Sequence, residues 1–169
     1  IAFVGRNGEG KTTLVKLLRQ ELHPNSGTIE VSNMVKIGYF AQDHNRLLNP
    51  QKTVFETIDD VATGDMRLKI RAILGAFLFS NDDMDKKVAV LSGGEKSRLV
   101  IAKLLLEPYN VLILDEPTAA LDPIAENEIY LKYNEMTKGC TSVYISHRLA
   151  STRFCDRILL LENGKILEE

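Results

Sequence analysis

Residues 5–12 read Gly5-Arg6-Asn7-Gly8-Glu9-Gly10-Lys11-Thr12, which is the spacing G-x-x-x-x-G-K-[ST]. The run lies between an apolar segment at residues 1–4 and a stretch at residues 11–22 that carries Leu14, Leu17, Leu18 and Leu22 at helical spacing. A strand, a glycine-rich loop and a helix in that order leave few folds open. The glycines let the backbone curl into a nest of N–H groups, and the helix N-terminus favours an anion. Lys11 has the reach for the β- and γ-phosphates of a nucleotide, and Thr12 offers a hydroxyl to Mg²⁺. Gly5, Asn7, Gly8, Gly10, Lys11, Thr12 and Thr13 are therefore candidate ligands for the phosphates of ATP or GTP. An ordinary glycine turn capped by a helix is the plainer alternative.

The rest of the chain must supply a body for that loop. Its 169 residues, 44% of them apolar, are enough for one domain with a real core. With 21 basic and 23 acidic residues there is no broad cationic field to draw the chain to nucleic acid or anionic lipid. With 11 glycines and 5 prolines, neither a disordered nor a collagen-like class fits. The longest weakly charged stretches, such as residues 72–82, fall short of the roughly 20 apolar residues that span a bilayer, so no direct membrane insertion is expected. Cys140 and Cys155 have neither metal-ligand nor disulfide-framework spacing, which suits a reducing compartment. The chain opens on Ile1 rather than Met and reads as a piece of something longer.

After a turn at Pro24-Asn25-Ser26-Gly27, residues 28–31 and 35–40 are brief β-branched and aromatic runs around Ser32-Asn33, which predicts a hairpin or meander. Over residues 53–79 the period becomes helical, with Val54, Ile58 and Val61 on one face and Ile70, Ile73, Leu74 and Phe77 on another. A further helix is expected over about 93–107, stopped by Pro108. Residues 111–114 are four aliphatics in a row, the mark of a buried parallel strand. Ala125, Ile129, Tyr133 and Met136 share a helical face, residues 141–146 read as a strand, and residues 157–161 and 165–167 close the chain around Asn163-Gly164. Alternating strands and helices predict an α/β fold: a mainly parallel central sheet, a small antiparallel β part and an inserted helical subdomain at about residues 43–95.

Two more constellations carry chemistry. Asp115 and Glu116 end the aliphatic run, at the strand edge where α/β sheets place ligands. Asp115 is the candidate Mg²⁺ holder, and Glu116 the candidate general base that orients the attacking water. Leu91-Ser92-Gly93-Gly94-Glu95 reads as a capping box with Ser92 as N-cap. Two glycines in a first helical turn each lose up to about 1 kcal/mol against alanine, so propensity does not select them. Close approach of backbone to an anion would.

With these residues the sequence resembles the ATP-binding cassette family, whose signature is LSGG followed by Gln or Glu, and the resemblance runs over essentially the whole chain. It implies a P-loop NTPase fold, residues 1–169 as a single nucleotide-binding domain truncated at its N-terminus, and ATP with Mg²⁺ as cofactors. Gln42 in Tyr39-Phe40-Ala41-Gln42 would be the Q-loop glutamine, near Mg²⁺ and the γ-phosphate. Asp122 in Ala120-Leu121-Asp122 would be the D-loop residue, and it is also a good helix N-cap before Pro123. His147 would be the switch histidine on the γ-phosphate. The resemblance further implies a second cassette as partner, with Ser92, Gly93 and Gly94 of one closing over the phosphates held by Lys11 of the other. An upstream strand with an adenine-stacking aromatic is expected and is not in this sequence.

The resemblance changes character along the chain. Residues 1–118, with Gly38-Tyr39-Phe40-Ala41-Gln42-Asp43, residues 91–98 and residues 103–108, are similar to a cassette of the soluble ABC-F translation factors. Residues 119–169, with Ala119-Ala120-Leu121-Asp122 and Ser146-His147-Arg148-Leu149, are similar to the nucleotide-binding domain of peptide exporters. The seam falls within Asp115-Glu116-Pro117-Thr118, which both groups share. The first resemblance implies a cytoplasmic ATPase acting on the ribosome. The second implies one that energises a transmembrane transporter domain and meets the membrane through it.

Overall fold

The computed structural model describes residues 1–41, 47–117, 123–137, 139–146, 152 and 155–168. The apolar opening forms β1 (Ala2–Val4), and the glycine-rich loop leads into α1 (Lys11–Leu18). That helix is shorter than its leucine spacing predicts. Gln20 takes a left-handed φ of 59°, its N–H donating to the Leu17 carbonyl and the Glu21 N–H donating to the Lys16 carbonyl. These two bonds are a Schellman closure with Gln where Gly is usual, and they leave Leu22 exposed beyond the helix.

Among the described residues, β1, β2 (Ile37–Phe40), β3 (Val111–Asp115), β4 (Thr141–Ser146), β5 (Ile158–Glu162) and β6 (Lys165–Glu168) make one sheet in the order β2-β3-β4-β1-β5-β6. β1 runs parallel to both neighbours, with Phe3 opposite Ile145 and Leu159. β3 pairs parallel with β4, placing Ile113 opposite Val143 and Asp115 opposite Ile145. β5 and β6 are antiparallel around Asn163 and Gly164, whose positive φ values of 50° and 72° fit a tight hairpin turn.

The predicted hairpin at residues 28–40 does not form: residues 28–31 are not a strand, and β2 begins only at Ile37. β-Propensity expresses fit to a neighbouring pleated surface rather than a backbone preference. Here β3 is the neighbour, and the segment before β2 is held instead by Asn110. Its side-chain oxygen accepts from the Lys36 N–H at 2.7 Å, and its amide donates to the Met34 carbonyl at 2.8 Å.

The chain divides into two compact units. The first comprises Ile1–Tyr39, Tyr109–Glu116 and Gly139–Glu169. Its core puts Phe3, Ile113, Val143, Ile145 and Leu161 on one sheet face under Val15 of α1, with Leu14, Leu18, Ile37 and Tyr39 packed around them. The alternate strand residues Ala2, Val4, Leu112, Leu114 and Tyr144 are buried as well, which is why these strands read as continuous apolar runs.

The second unit, Phe40–Pro108 and Pro117–Lys138, is helical. The helical pattern over residues 53–79 is not one helix: α2 (Val54–Asp59) ends before Gly64, a 3-10 segment covers Gly64–Lys69, and α3 (Ile70–Ala76) follows. The anticipated faces are still the buried ones, with Val54, Ile58, Ile70, Leu74 and Phe77 all inside. A short α4 (Asn81–Met84) precedes α5 (Gly93–Leu106), and α6 (Pro123–Met136) buries Ile129 and Tyr133 of its expected face. No helix among the described residues is long and apolar enough to cross a membrane.

Candidate nucleotide-binding site

The loop after β1 is shaped by where its glycines sit. A Cβ on Gly5 would lie 2.5 Å from the Leu161 carbonyl oxygen, so only glycine lets the loop leave β1 this close to β5. Gly8 and Gly10 take φ values of 90° and 91°, in the left-handed region that other residues avoid. Gly10 is also the N-cap of α1, where no side chain caps and no acidic residue occupies the first turn. By contrast α2, α4 and α5 each open on a complete capping box with Glu or Asp at the third position. The N-terminus of α1 thus keeps backbone donors for an anion from outside.

Lys11 is buried, and its ammonium donates to the carbonyls of Gly5 at 2.7 Å and Arg6 at 2.8 Å, so the cation is folded back across the loop. Asn7, Gly8, Thr12 and Thr13 are exposed on the rim. A pocket of about 340 Å³ opens beside them, bounded by Val4, Gly5, Arg6 and Glu9 on one side and Leu160, Leu161 and Glu162 on the other. The Glu9 carboxylate accepts from the Asn163 backbone N–H, tying the loop to the β5–β6 turn.

Asp115, at the end of β3, comes to the same corner. Its Oδ2 accepts from the Thr12 hydroxyl at 3.5 Å and from the Tyr39 hydroxyl at 3.3 Å. Burial pushes the Asp115 carboxyl up, and the Glu116 charge adds to this, against the pull of the Tyr39 and Thr12 hydroxyls and of Lys11. Burial, helped by the Asp115 charge, likewise pushes the Tyr39 phenol up to about 12, so it remains a donor at any physiological pH. A hydroxyl and a carboxylate are hard oxygen ligands of the kind Mg²⁺ takes. No group of three or more His, Cys, Asp or Glu side chains gathers among the described residues.

Glu116 follows with φ 49°, an uncommon conformation for a non-glycine residue, and its N–H donates to the Ile145 carbonyl at 2.9 Å. The bond to β4 holds the half-buried Glu116 at the sheet edge. In the second unit, the Ser92 hydroxyl accepts from the Glu95 N–H at 3.3 Å while Glu95 accepts from the Ser92 N–H at 2.7 Å, the capping box expected from sequence. A Cβ on Gly93 would meet nothing within 4 Å among the described residues, so packing against them does not demand glycine there. Gln42, Asp122 and His147 lie outside the described residues.

Of the residues singled out in the sequence, the structure brings the Thr12 hydroxyl within 3.5 Å of Asp115 and folds Lys11 across the same loop, while the contacts of Tyr39 and Glu9 had not been anticipated. Tyr39 had a legible signal, since a tyrosine alternating with Ile37 on a core-facing strand needs a partner for its hydroxyl.

A model described as ABC transporter matches residues 1–119 of the chain. The chain belongs to this family. Cassettes of the family are ATPases. Over 170 residues the cassette is 39% identical to the probable ATP-binding protein YbiT of Escherichia coli O157:H7, an alignment that covers 99% of this chain and 32% of the relative. It is 34% identical over 186 residues to the beta-(1→2)glucan export ATP-binding/permease protein NdvA of Rhodopseudomonas palustris strain BisB5, covering 99% of this chain and 31% of that one. The dimeric structure of MJ0796, a bacterial ABC transporter cassette, matches with a TM-score of 0.80 at 25% identity over 99% of this chain and 82% of its own. The chain spans about a third of the length of these two curated relatives.

Proposed function

We propose that this cassette binds ATP with Mg²⁺ and hydrolyses it at a head-to-tail interface with a second cassette. The observation that carries the reading is the convergence of Lys11, Thr12 and Asp115 at the uncapped N-terminus of α1. Gly5, Asn7, Gly8, Gly10 and Thr13 complete the cradle, and Lys11 exchanges the Gly5 and Arg6 carbonyls for phosphate oxygens. Thr12 and Asp115, joined by Gln42, hold Mg²⁺. The ion, when bound, neutralises charge on the β- and γ-phosphate oxygens. Glu116 orients and polarises the attacking water, Gln42 and His147 meet the γ-phosphate, and Ser92, Gly93, Gly94 and Asp122 serve the facing cassette. Residues 43–95 form the helical subdomain of this single cassette domain.

The biological setting we favour is an ABC-F type factor that acts on the ribosome in the cytoplasm. It is supported by the motif style of residues 1–118. Nucleotide binding for an exporter is the second reading, favoured by the style of residues 119–169 and by the alignment with NdvA. Glu116→Gln keeps shape and loses the carboxylate, so phosphate release collapses while ATP-bound pairs accumulate in light scattering. Lys11→Ala serves as the binding-deficient control, with markedly weaker ATP-Mg affinity by calorimetry. A Glu116→Gln protein that hydrolyses like its parent overturns the role of Glu116. Cosedimentation of the trapped protein with ribosomes separates the two settings.

A further inference from the structure

Tyr39 stands three residues before Gln42 and the motif gives it no role, yet its hydroxyl is within hydrogen-bond reach of the one carboxylate oxygen that also faces Thr12. Its ring is fixed from the other side. The Arg19 guanidinium lies 4.1 Å from the ring centroid, and Arg19 is itself held by Glu21 at 2.6 Å. Both ends of α1 therefore bear on Asp115, the first turn through Thr12 directly and the C-cap residue Arg19 through Tyr39. Because both donors meet Oδ2, the plane of the carboxylate is set and Oδ1 has no donor among the described residues.

We propose that Tyr39 is a positioning residue for the cation: its hydroxyl fixes Oδ2 of Asp115 and so presents Oδ1 to Mg²⁺ or to a water on it. The proposal rests on the reading of Asp115 as the Mg²⁺ carboxylate. With a lone pair toward a cation the Thr12 hydroxyl would still donate its proton to Oδ2, and Tyr39 adds a second donor that takes no part in ligation. Hydrogen bonds of this outer kind orient metal ligands, and removing one typically weakens metal binding about 10- to 100-fold.

The test uses the full chain and Mn²⁺ as the probe. Free Mn²⁺ is titrated by electron paramagnetic resonance in the presence of a non-hydrolysable ATP analogue, for the parent, Tyr39→Phe and Asp115→Asn. Tyr39→Phe removes one oxygen and keeps the ring beneath Arg19. Its half-saturating Mn²⁺ concentration is expected to rise about tenfold, with nucleotide affinity in chelator unchanged. If Asp115→Asn raises that concentration and Tyr39→Phe does not, the proposal is wrong while the reading of Asp115 stands. If neither variant moves it, both are wrong. Equal loss of metal-free nucleotide affinity in Tyr39→Phe would make Tyr39 a general support of the loop and overturn the proposal. Melting curves of each variant confirm that folded protein is compared.

Discussion

Asp115 carries a charge that its surroundings disfavour. Burial raises its carboxyl above the ordinary value, so between the unfolded and folded values the native protein keeps a proton that the unfolded chain has released. Stability from this group is therefore full below the unfolded carboxylate value, about 3.9, and is lost as pH rises through the folded one. Asp115→Asn keeps an oxygen for the Tyr39 and Thr12 hydroxyls and removes the charge. In chelator it is expected to melt higher than the parent at pH 7, with the difference shrinking toward pH 4, while binding of Mn²⁺ with nucleotide is lost. A lower melting temperature at pH 7 would mean that hydrogen bonding to the ionised form outweighs burial. At this scale the sequence was legible where spacing itself is the chemistry, as in Gly5 to Thr12. It was silent where a contact joins distant residues: neither the left-handed backbone of Glu116 nor the Glu9 bond to Asn163 has a local signature.

Among the elements, α5 is the one whose start serves two readings at once. The Ser92 hydrogen bonds hold the Glu95 carboxyl below its ordinary value, so the capping box stabilises α5 above the carboxylate range and is lost as acid protonates Glu95. Capping alone would tolerate Ser92→Asp, because Asp is as good an N-cap as Ser and suits the helix dipole. A surface that closes over a neighbour's phosphates would not tolerate it, since the new carboxylate meets like charge. Urea unfolding should place Ser92→Asp within about 0.5 kcal/mol of the parent. Light scattering in the Glu116→Gln background should show ATP-dependent pairing abolished, and pairing that persists would leave Ser92 as a cap and nothing more. Elements with such end signals were the readable ones: α5 begins at its capping box and stops before Pro108, and the β5–β6 turn falls on Asn163-Gly164. The unreadable ones lacked a local stop. Gln20 ends α1 in a role that sequence assigns to glycine, and residues 28–31 carry strand composition without a strand to pair with.

The whole molecule brings the two differently styled segments into direct contact, because β3 and β4 are parallel neighbours. Ile113 of the first segment and Val143 and Ile145 of the second pack together with Phe3 and Val15, and Ile113 and Ile145 are only 1% and 0% exposed. The packing across the seam is therefore closed, which agrees with the general tolerance of cores for volume-matched exchanges at under about 1.5 kcal/mol each. Catalytic geometry is less forgiving, since a small misplacement between groups that act together can cost on the order of 100-fold in rate. Glu116 hangs from β4 through the Ile145 carbonyl, so its position depends on a strand from the second segment. Replacing residues 119–169 by a tail in the ABC-F style is expected to raise phosphate release per folded molecule with little change in melting temperature. A large rise in melting temperature with an unchanged rate would locate the mismatch in the Ile113, Val143 and Ile145 layer instead. The two quantities separate because this core needs only volume and apolarity, whereas the turnover proposed for Glu116 and His147 depends on how they are placed.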